Sequence, residues 1–528
     1  MIRRTLNAID SVAARAGALA TSPRAVLVIW SAIIALVFVS RSFLFPGADA
    51  DDSEQLVCMQ QWSLSCGPRN PPLFTWLGML SQTIFGTTIT AVIIVKCAVI
   101  AGCLLSIYAA GTMMLQDRGL AALAALSPIA IYYFAWDAAF HYTHSVMVAF
   151  AVALSFYLLL VLENRRDALS YILFGLSVAV GALSKLNYLV FLAAVLIAMT
   201  MDRDLRALLL NWRMPAATLF GLALASPYYI WLWSERAWAM SLARDRFNPG
   251  VPEMHFFDVA GLGELVMAVL NFALPLLIFL IIFFPRAWWR DGARPAASTR
   301  YRRLLERAYL IMFVAAVVAV FVLGASRVRT HYMFAIILFP LLVIARVQAA
   351  EVSRRAINYF SVVLIFFAVV VPTGILVKYA IDPLRGSKAY YHIPYAKIAE
   401  KLKEAGFREG TIIGDTLGYP LGGNMLPYFP DSRVVTLLDW QLDLPENIRV
   451  GGRVPLLPAD HQGQCLLLWT PDSDGYRKRV TVERAQKLLG AEIPSDPKPS
   501  YIETEIHNGG GRIFKMGYYL TSGTGNCR

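Results

Sequence analysis

Four carboxylates fall within six residues of this chain, Asp49, Asp51, Asp52 and Glu54, in the stretch GADADDSEQL at 47–56. A carboxylate in such a place can take the proton of a hydroxyl as its oxygen attacks. Cations recur farther along: Arg69 in CGPRNPPLFTWL, Lys185 in GALSKLNYL, and Arg327, Arg329 and His331 in ASRVRTHYM. The planar fork of arginine binds phosphate oxygens two at a time, so this second set suits a departing phosphate. Acids and cations together point to transfer of a group from a lipid phosphate donor to a hydroxyl. Phosphate leaves readily, so no general acid is required, unlike the two-carboxylate arrangement of glycoside hydrolysis.

The elements that must carry these residues are membrane helices. The chain has 528 residues, 57% hydrophobic and only 16% charged. A soluble protein could not hide so much apolar side chain, and runs of the length that crosses a bilayer recur up to about residue 380. We read eleven spans: 25–45, 89–115, 119–135, 146–162, 169–184, 186–201, 214–233, 263–285, 309–325, 333–347 and 357–379. The net charge of +12 does not call for nucleic acid, because much of the arginine sits in short loops. The loop 286–307 alone has seven Arg against two acids. It falls on the same side as the loops at 163–167, 202–206 and 346–356 and the N-terminal segment 1–24, which makes that side cytoplasmic. The first span reads as an uncleaved anchor.

On this count the outer loop 46–88, with its acids and a helix over 54–64, faces the periplasm, as does everything after 380. Residues 381–528 lose the apolar runs and gain Gly, Pro and charge, which predicts a small α/β domain. A helix is expected over 395–407, and strands in GTIIGD, SRVVTLL, QCLLLWT and GRIFKMGYYLT. Cys97 and Cys103 lie inside a span. Cys58, Cys66, Cys465 and Cys527 lie outside, where disulfides form, and the sequence leaves open whether they pair. No internal repeats are visible.

The order DDSEQL, QQWSL, GPRNPPLFTWL, SPIAIYYFAWDAAFHYTHSVM, GALSKLNYL, GASRVRTHYMFAIILFPLL and GTIIGDTLGYPLGGNMLPYFPDSRVV resembles the polytopic GT-C glycosyltransferases over nearly the whole chain. The likeness is to the ArnT-like branch (lipid A aminoarabinose transferases) and to the protein O-mannosyltransferases. It implies an all-α membrane protein of the GT-C fold, with about 11–13 transmembrane helices and a C-terminal periplasmic α/β domain. It implies a polyprenyl-phosphate-linked sugar donor and a lipid or glycan acceptor such as lipid A or the lipopolysaccharide core. The place would be a bacterial inner membrane, among membrane lipids and without nucleic acid. Asp51 matches the family's base. The family's phosphate-contacting Lys before a Pro-Pro pair is replaced by Asn70, with Arg69 beside it as the substitute. Lys185, Arg327, Arg329 and His331 resemble donor-phosphate positions. Where the family has a second acid this chain has Thr143-His144, with Asp137 seven residues earlier.

Each of these residues also has a plainer reading. Asp51 is otherwise a solvated loop acid. Asp52 and Glu54 either orient the acceptor, hold a divalent cation or are simply exposed. Arg327 and Arg329 otherwise brace a short loop, and Lys185 snorkels. His141 and His144 have the spacing of a metal pair without an evident third ligand, so no metal site is assigned. The aromatic-rich stretch 228–257 reads as an interfacial loop or a lid. Other functions compete too: a protein O-glycosyltransferase with the same donor, a lipid-linked sugar transporter or flippase, or an envelope scaffold. Transporters favour repeats and broken midplane helices, whereas the charges here gather on one side.

Overall fold

The structure, a computed structural model, describes residues 2–67, 70–248, 259–289, 296–387, 389–415, 419–435, 463–473 and 475–528. It resolves into two compact units. The first comprises Met1–Leu36, Pro68–Leu73 and Lys96–Thr373, and the second Val37–Gly67, Phe74–Val95 and Gly374–Arg528.

The described part of the first unit is built of helices. Acids at helix starts supply caps for otherwise orphaned backbone N–H groups. Asp117 accepts from Gly119 and Leu120 at 2.8 and 3.0 Å, and Asp167 accepts from Ser170 at 2.8 Å. Small residues let helix backbones touch. A Cβ on Gly175 would lie 2.5 Å from the Ala217 carbonyl, and one on Gly221 would lie 2.2 Å from the Gly175 carbonyl. This seats Ala168–Ala182 against Arg213–Ser234. The next helix, Tyr188–Thr200, follows a short apex. At 1.5 Å per residue these two short helices reach only about 20–23 Å, less than the ~30 Å apolar core of a bilayer, so the apex that carries Lys185 is recessed.

Among the described residues six helices are long and apolar enough to cross a membrane, or seven if the bent pair Thr330–Ile336 and Phe339–Ala349 is one span. Five more apolar helices have 10–17 residues. One of these, Leu73–Phe85, lies inside what the sequence reading took as outer loop, because the Pro-Pro before it reads as a break and not as an entry. The expected span 263–285 is two helices, Ala260–Ala273 and Leu276–Phe283, parted at Pro275, which cannot continue a helix from within. The stretch expected as a loop or lid from 228 is helical through Arg236–Phe247. Its remainder at 249–258 lies outside the described residues.

The second unit contains the sheet. Its strands are β1 (Gly410–Ile413), β2 (Arg433–Val435), β3 (Gln464–Trp469), β4 (Ser500–Glu505) and β5 (Ile513–Ser522), in the order β2-β1-β3-β5-β4. β1 pairs in parallel with β2 and β3, with Ile412 opposite Val434 and Leu466. β5 runs antiparallel to β3 and β4. β1 and β2 are buried at every position, as parallel strands covered on both faces must be. The helix Tyr395–Glu404 buries Tyr395, Ile398, Ala399 and Leu402, the 3.6-residue stripe that made it legible. Ile413, Trp469 and Val482 share a core with Cys465 and Cys527, which are bonded at a Cα separation of 5.2 Å. Cys58 and Cys66 are bonded at 5.4 Å.

Candidate active site

The carboxylates belong to the second unit. They occupy the first turns of the helix Ala50–Cys58, starting four residues earlier than expected, because acids near a helix N-terminus are stabilised by its dipole. The Ser53 N–H and hydroxyl both donate to the Asp49 carbonyl, at 2.8 and 2.7 Å. Burial sorts the acids. Asp52 is 0% exposed and Glu54 7%, which removes the reading that either is simply exposed. Asp51 is partly exposed.

Arg41 is a buried ionisable residue beside the acids that the sequence reading does not single out. It lies in the π-helical turn Ser40–Leu44, is fully buried, and its Nη2 donates to Asp52 Oδ2 at 3.4 Å. Its guanidinium lies 5.0 Å from the Phe45 ring centre and 5.4 Å from that of Tyr391. The signal was present, since an arginine inside an apolar run is costly and marks a site. The place of Arg41 within the apolar run 25–45 hides it among span residues. Gln55, one turn on, accepts from the Thr75 hydroxyl at 2.8 Å.

The cations belong to the first unit. Lys185 is 8% exposed. Its Nζ donates to Ser145 Oγ at 2.7 Å and lies 5.3 Å from the Tyr332 ring centre. Asn187 donates to the Tyr332 carbonyl at 2.8 Å. The structure thus brings the apex at 183–187 together with the starts of two expected elements, at His144-Ser145 and His331-Tyr332. The Leu73 N–H reaches the Leu183 carbonyl at 3.2 Å, which ties the Asn70 segment to the same apex. Arg69 lies outside the described residues.

Tyr142 joins this group. It packs against His331 with ring centres 5.9 Å apart and has φ of +68°. The left-handed region is unusual for a bulky residue, and of the other non-glycine residues there, Gln116, Arg166 and Glu351 each follow a helix end. Tyr142 instead precedes a helix, and such strain persists where surrounding packing enforces it. His144 is buried, and Asp137 pairs with His141 at 3.7 Å. Among the described residues no three His, Cys, Asp or Glu side chains converge as a metal site would need. Arg327 and Arg329 are exposed. The Ser326 and Arg327 N–H groups both donate to the Phe247 carbonyl, at 3.1 and 2.9 Å, which pins the loop at its start.

The chemistry available is a partly exposed carboxylate in one unit and a buried lysine with histidine and tyrosine rings about it in the other. The chain matches the family described as dolichyl-phosphate-mannose-protein mannosyltransferase over residues 69–231. It is 29% identical over 504 residues to the lipopolysaccharide core galacturonosyltransferase RgtA of Rhizobium johnstonii, covering 92% of this chain and 95% of that protein. It is 25% identical over 486 residues to RgtB of the same organism, named for the same activity, covering 89% and 92%. Its fold is that of the crystal structures of ArnT from Cupriavidus metallidurans. The apo form gives a TM-score of 0.56 at 13% identity, covering 94% of this chain and 97% of ArnT. The form bound to undecaprenyl phosphate gives 0.58 at 12% identity, covering 93% and 97%. Apolar helices, fold and relatives converge on one conclusion: the chain is a multi-pass membrane glycosyltransferase with the GT-C fold seen in ArnT.

Proposed function

We propose that this enzyme transfers a hexuronic acid from a polyprenyl phosphate to a hydroxyl of lipid A or the lipopolysaccharide core, on the periplasmic face of a bacterial inner membrane. The acceptor oxygen attacks the anomeric carbon while the bond from that carbon to the phosphate oxygen breaks. Asp51 takes the hydroxyl proton, the polyprenyl phosphate leaves with the electron pair, and a single displacement inverts the anomeric centre. Lys185, Arg327, Arg329 and His331, with Arg69 and Asn70, hold the departing phosphate. Asp137 and His144 orient the acceptor.

The observation that carries this reading is the sorting of the carboxylates. Arg41 neutralises Asp52 in the interior, and Glu54 is buried, which leaves Asp51 as the acid of the first turn that solvent and substrate can reach. The uronic acid follows from the two galacturonosyltransferase relatives. The match at 69–231 to protein mannosyltransferases favours a second reading, in which a protein Ser or Thr is the acceptor.

The test is the mass of lipid A and core from cells with the wild-type chain, with Asp51→Asn or with neither. Wild type alone should add one hexuronic acid per acceptor, and Asp51→Asn should lower transfer by about 10²- to 10⁴-fold, the range of general-base loss. A folded Asp51→Asn enzyme that still transfers would remove Asp51 as base. Glycoproteins changed in place of lipid would support the second reading.

A further inference from the structure

The motif GGNMLPYFPDSRVV at 422–435 has no part in the chemistry above, yet the second unit folds it directly onto the acid segment. The Asn424 side chain is buried and meets Ala48 as a strand would. The Ala48 N–H donates to Asn424 Oδ1 at 2.7 Å, and Asn424 Nδ2 donates to the Ala48 carbonyl at 3.0 Å. Nδ2 also donates to the Pro420 carbonyl at 2.7 Å, which fixes the amide within its own turn. Gly423 permits the approach, because a Cβ there would lie 2.5 Å from the Ser53 carbonyl.

The far end of the segment returns the same device. Gln60 Nε2 donates to the Val434 carbonyl at 3.0 Å, and the Val434 N–H donates to Gln60 Oε1 at 2.7 Å. Val434 is on β2, the outer strand of the sheet, so Gln60 satisfies an edge that would otherwise be open. One carboxamide from each side therefore brackets the acids, three residues before Asp51 and nine after it. Both are bidentate to backbone, so they fix direction as well as distance.

We propose that the C-terminal α/β lobe is the positioning element of the catalytic base, acting through Asn424 at one end of the acid segment and Gln60 at the other. This rests on the reading of Asp51 as base. It gives the sheet a task in the reaction that needs no bound ligand. The two carboxamides are positioning residues, since each acts on the substrate only through the segment it holds.

The experiment uses the full chain in detergent, with undecaprenyl phosphate as binding probe and lipopolysaccharide from cells lacking the enzyme as acceptor. Transfer from membranes that supply the donor is compared for wild type, Asp51→Asn, Asn424→Ala and Gln60→Ala. Asn424→Ala should lower transfer about 10- to 100-fold, as expected of a base displaced by an ångström or less, with undecaprenyl phosphate affinity within twofold of wild type. Asn424→Gln should not restore the rate, because its longer arm cannot meet both groups of Ala48. If Asn424→Ala fails to assemble, Gln60→Ala, which leaves the lobe interior intact, carries the same test. Transfer at the wild-type rate in a folded Asn424→Ala or Gln60→Ala enzyme, with Asp51→Asn inactive, would overturn the positioning role and leave the base in place. Equal loss of transfer and of undecaprenyl phosphate binding would also overturn it, as general damage. An active Asp51→Asn enzyme would overturn both readings.

Discussion

Around the carboxylates every residue from Asp52 to Cys58 is buried, and the helix that bears them has a disulfide at its end and a carboxamide at each flank. Arg327 and Arg329, by contrast, are exposed residues on a loop anchored beside them at Ser326, whose N–H meets the Phe247 carbonyl and Asn248 Oδ1 and whose hydroxyl donates to that same carbonyl. The two regions answer to different tolerances. A base must sit within hydrogen-bond reach of one proton, and an ångström of error costs orders of magnitude. A phosphate is a broad, delocalised anion that long cations can follow, so rigidity there gains little. Lys185 is the exception among the cations, being recessed and hydrogen-bonded.

The largest effect expected from breaking this contrast is at Arg41. Replacing it with Met withdraws the guanidinium from Asp52, and removing one partner of a buried pair costs about 3–5 kcal/mol. Thermal unfolding of the purified chain should show a large loss for Arg41→Met. The double change Arg41→Met with Asp52→Leu should recover much of it, since apolar replacement of both partners of a buried pair is often neutral. A double variant no more stable than Arg41→Met would mean that Asp52 answers chiefly to other groups. Exposed Arg329→Met should scarcely move the same transition.

How much of this contrast could be read beforehand depends on the range of the interaction. Apolar runs and the stripe of 395–404 were legible because their pattern is local. β1, β2, β3 and β5 were legible as short apolar runs between turn residues. β4, whose SYIETE alternates weakly, and the helix Tyr476–Leu489, whose YRKRVTVERAQKLL mixes charge with β-branched residues, gave no such signal. Asp51 was singled out by its place in the first outer loop together with the family resemblance, and Lys185 by its place at a short apex. The sorting of the acids was not, because it depends on Arg41 reaching Asp52 across a turn of unusual winding. Asn424 and Gln60 were beyond reach, since each meets a partner more than 370 residues away in sequence.

A smaller effect concerns acid. His392 is fully buried in the same unit, its ring centre 5.5 Å from that of Phe45 and 4.8 Å from that of Tyr391. Burial pushes its imidazole down to about 4 from the usual 6.5, against the pull of Asp382 and with Lys378, Arg41 and His507 adding to the fall. The unfolded chain therefore binds a proton that the folded chain refuses between those values. Stability is whole above pH 6.5 and declines as pH falls toward about 4, by up to about 3 kcal/mol. His392→Phe should flatten the difference between pH 7 and pH 5 in the unfolding midpoint. An unchanged slope would show that other groups carry the acid sensitivity.

The smallest effects sharpen the comparison from the cation side. If phosphate is held by one fixed cation and several loose ones, affinity for undecaprenyl phosphate should divide unequally. Lys185→Met removes a buried, charge-assisted donor worth about 1.5–3 kcal/mol, or roughly 10- to 150-fold in affinity. Arg327→Gln and Arg329→Gln each remove an exposed charge worth about 0.2–1 kcal/mol, or a fewfold at most, and that loss should shrink as salt is raised. Equilibrium binding at low and high ionic strength separates the cases, because a desolvated contact keeps its value where screened ones fade. Equal, salt-sensitive losses at all three positions would mean that the recess at 183–187 is filled by water when the phosphate arrives, and that Lys185 works as a third surface cation.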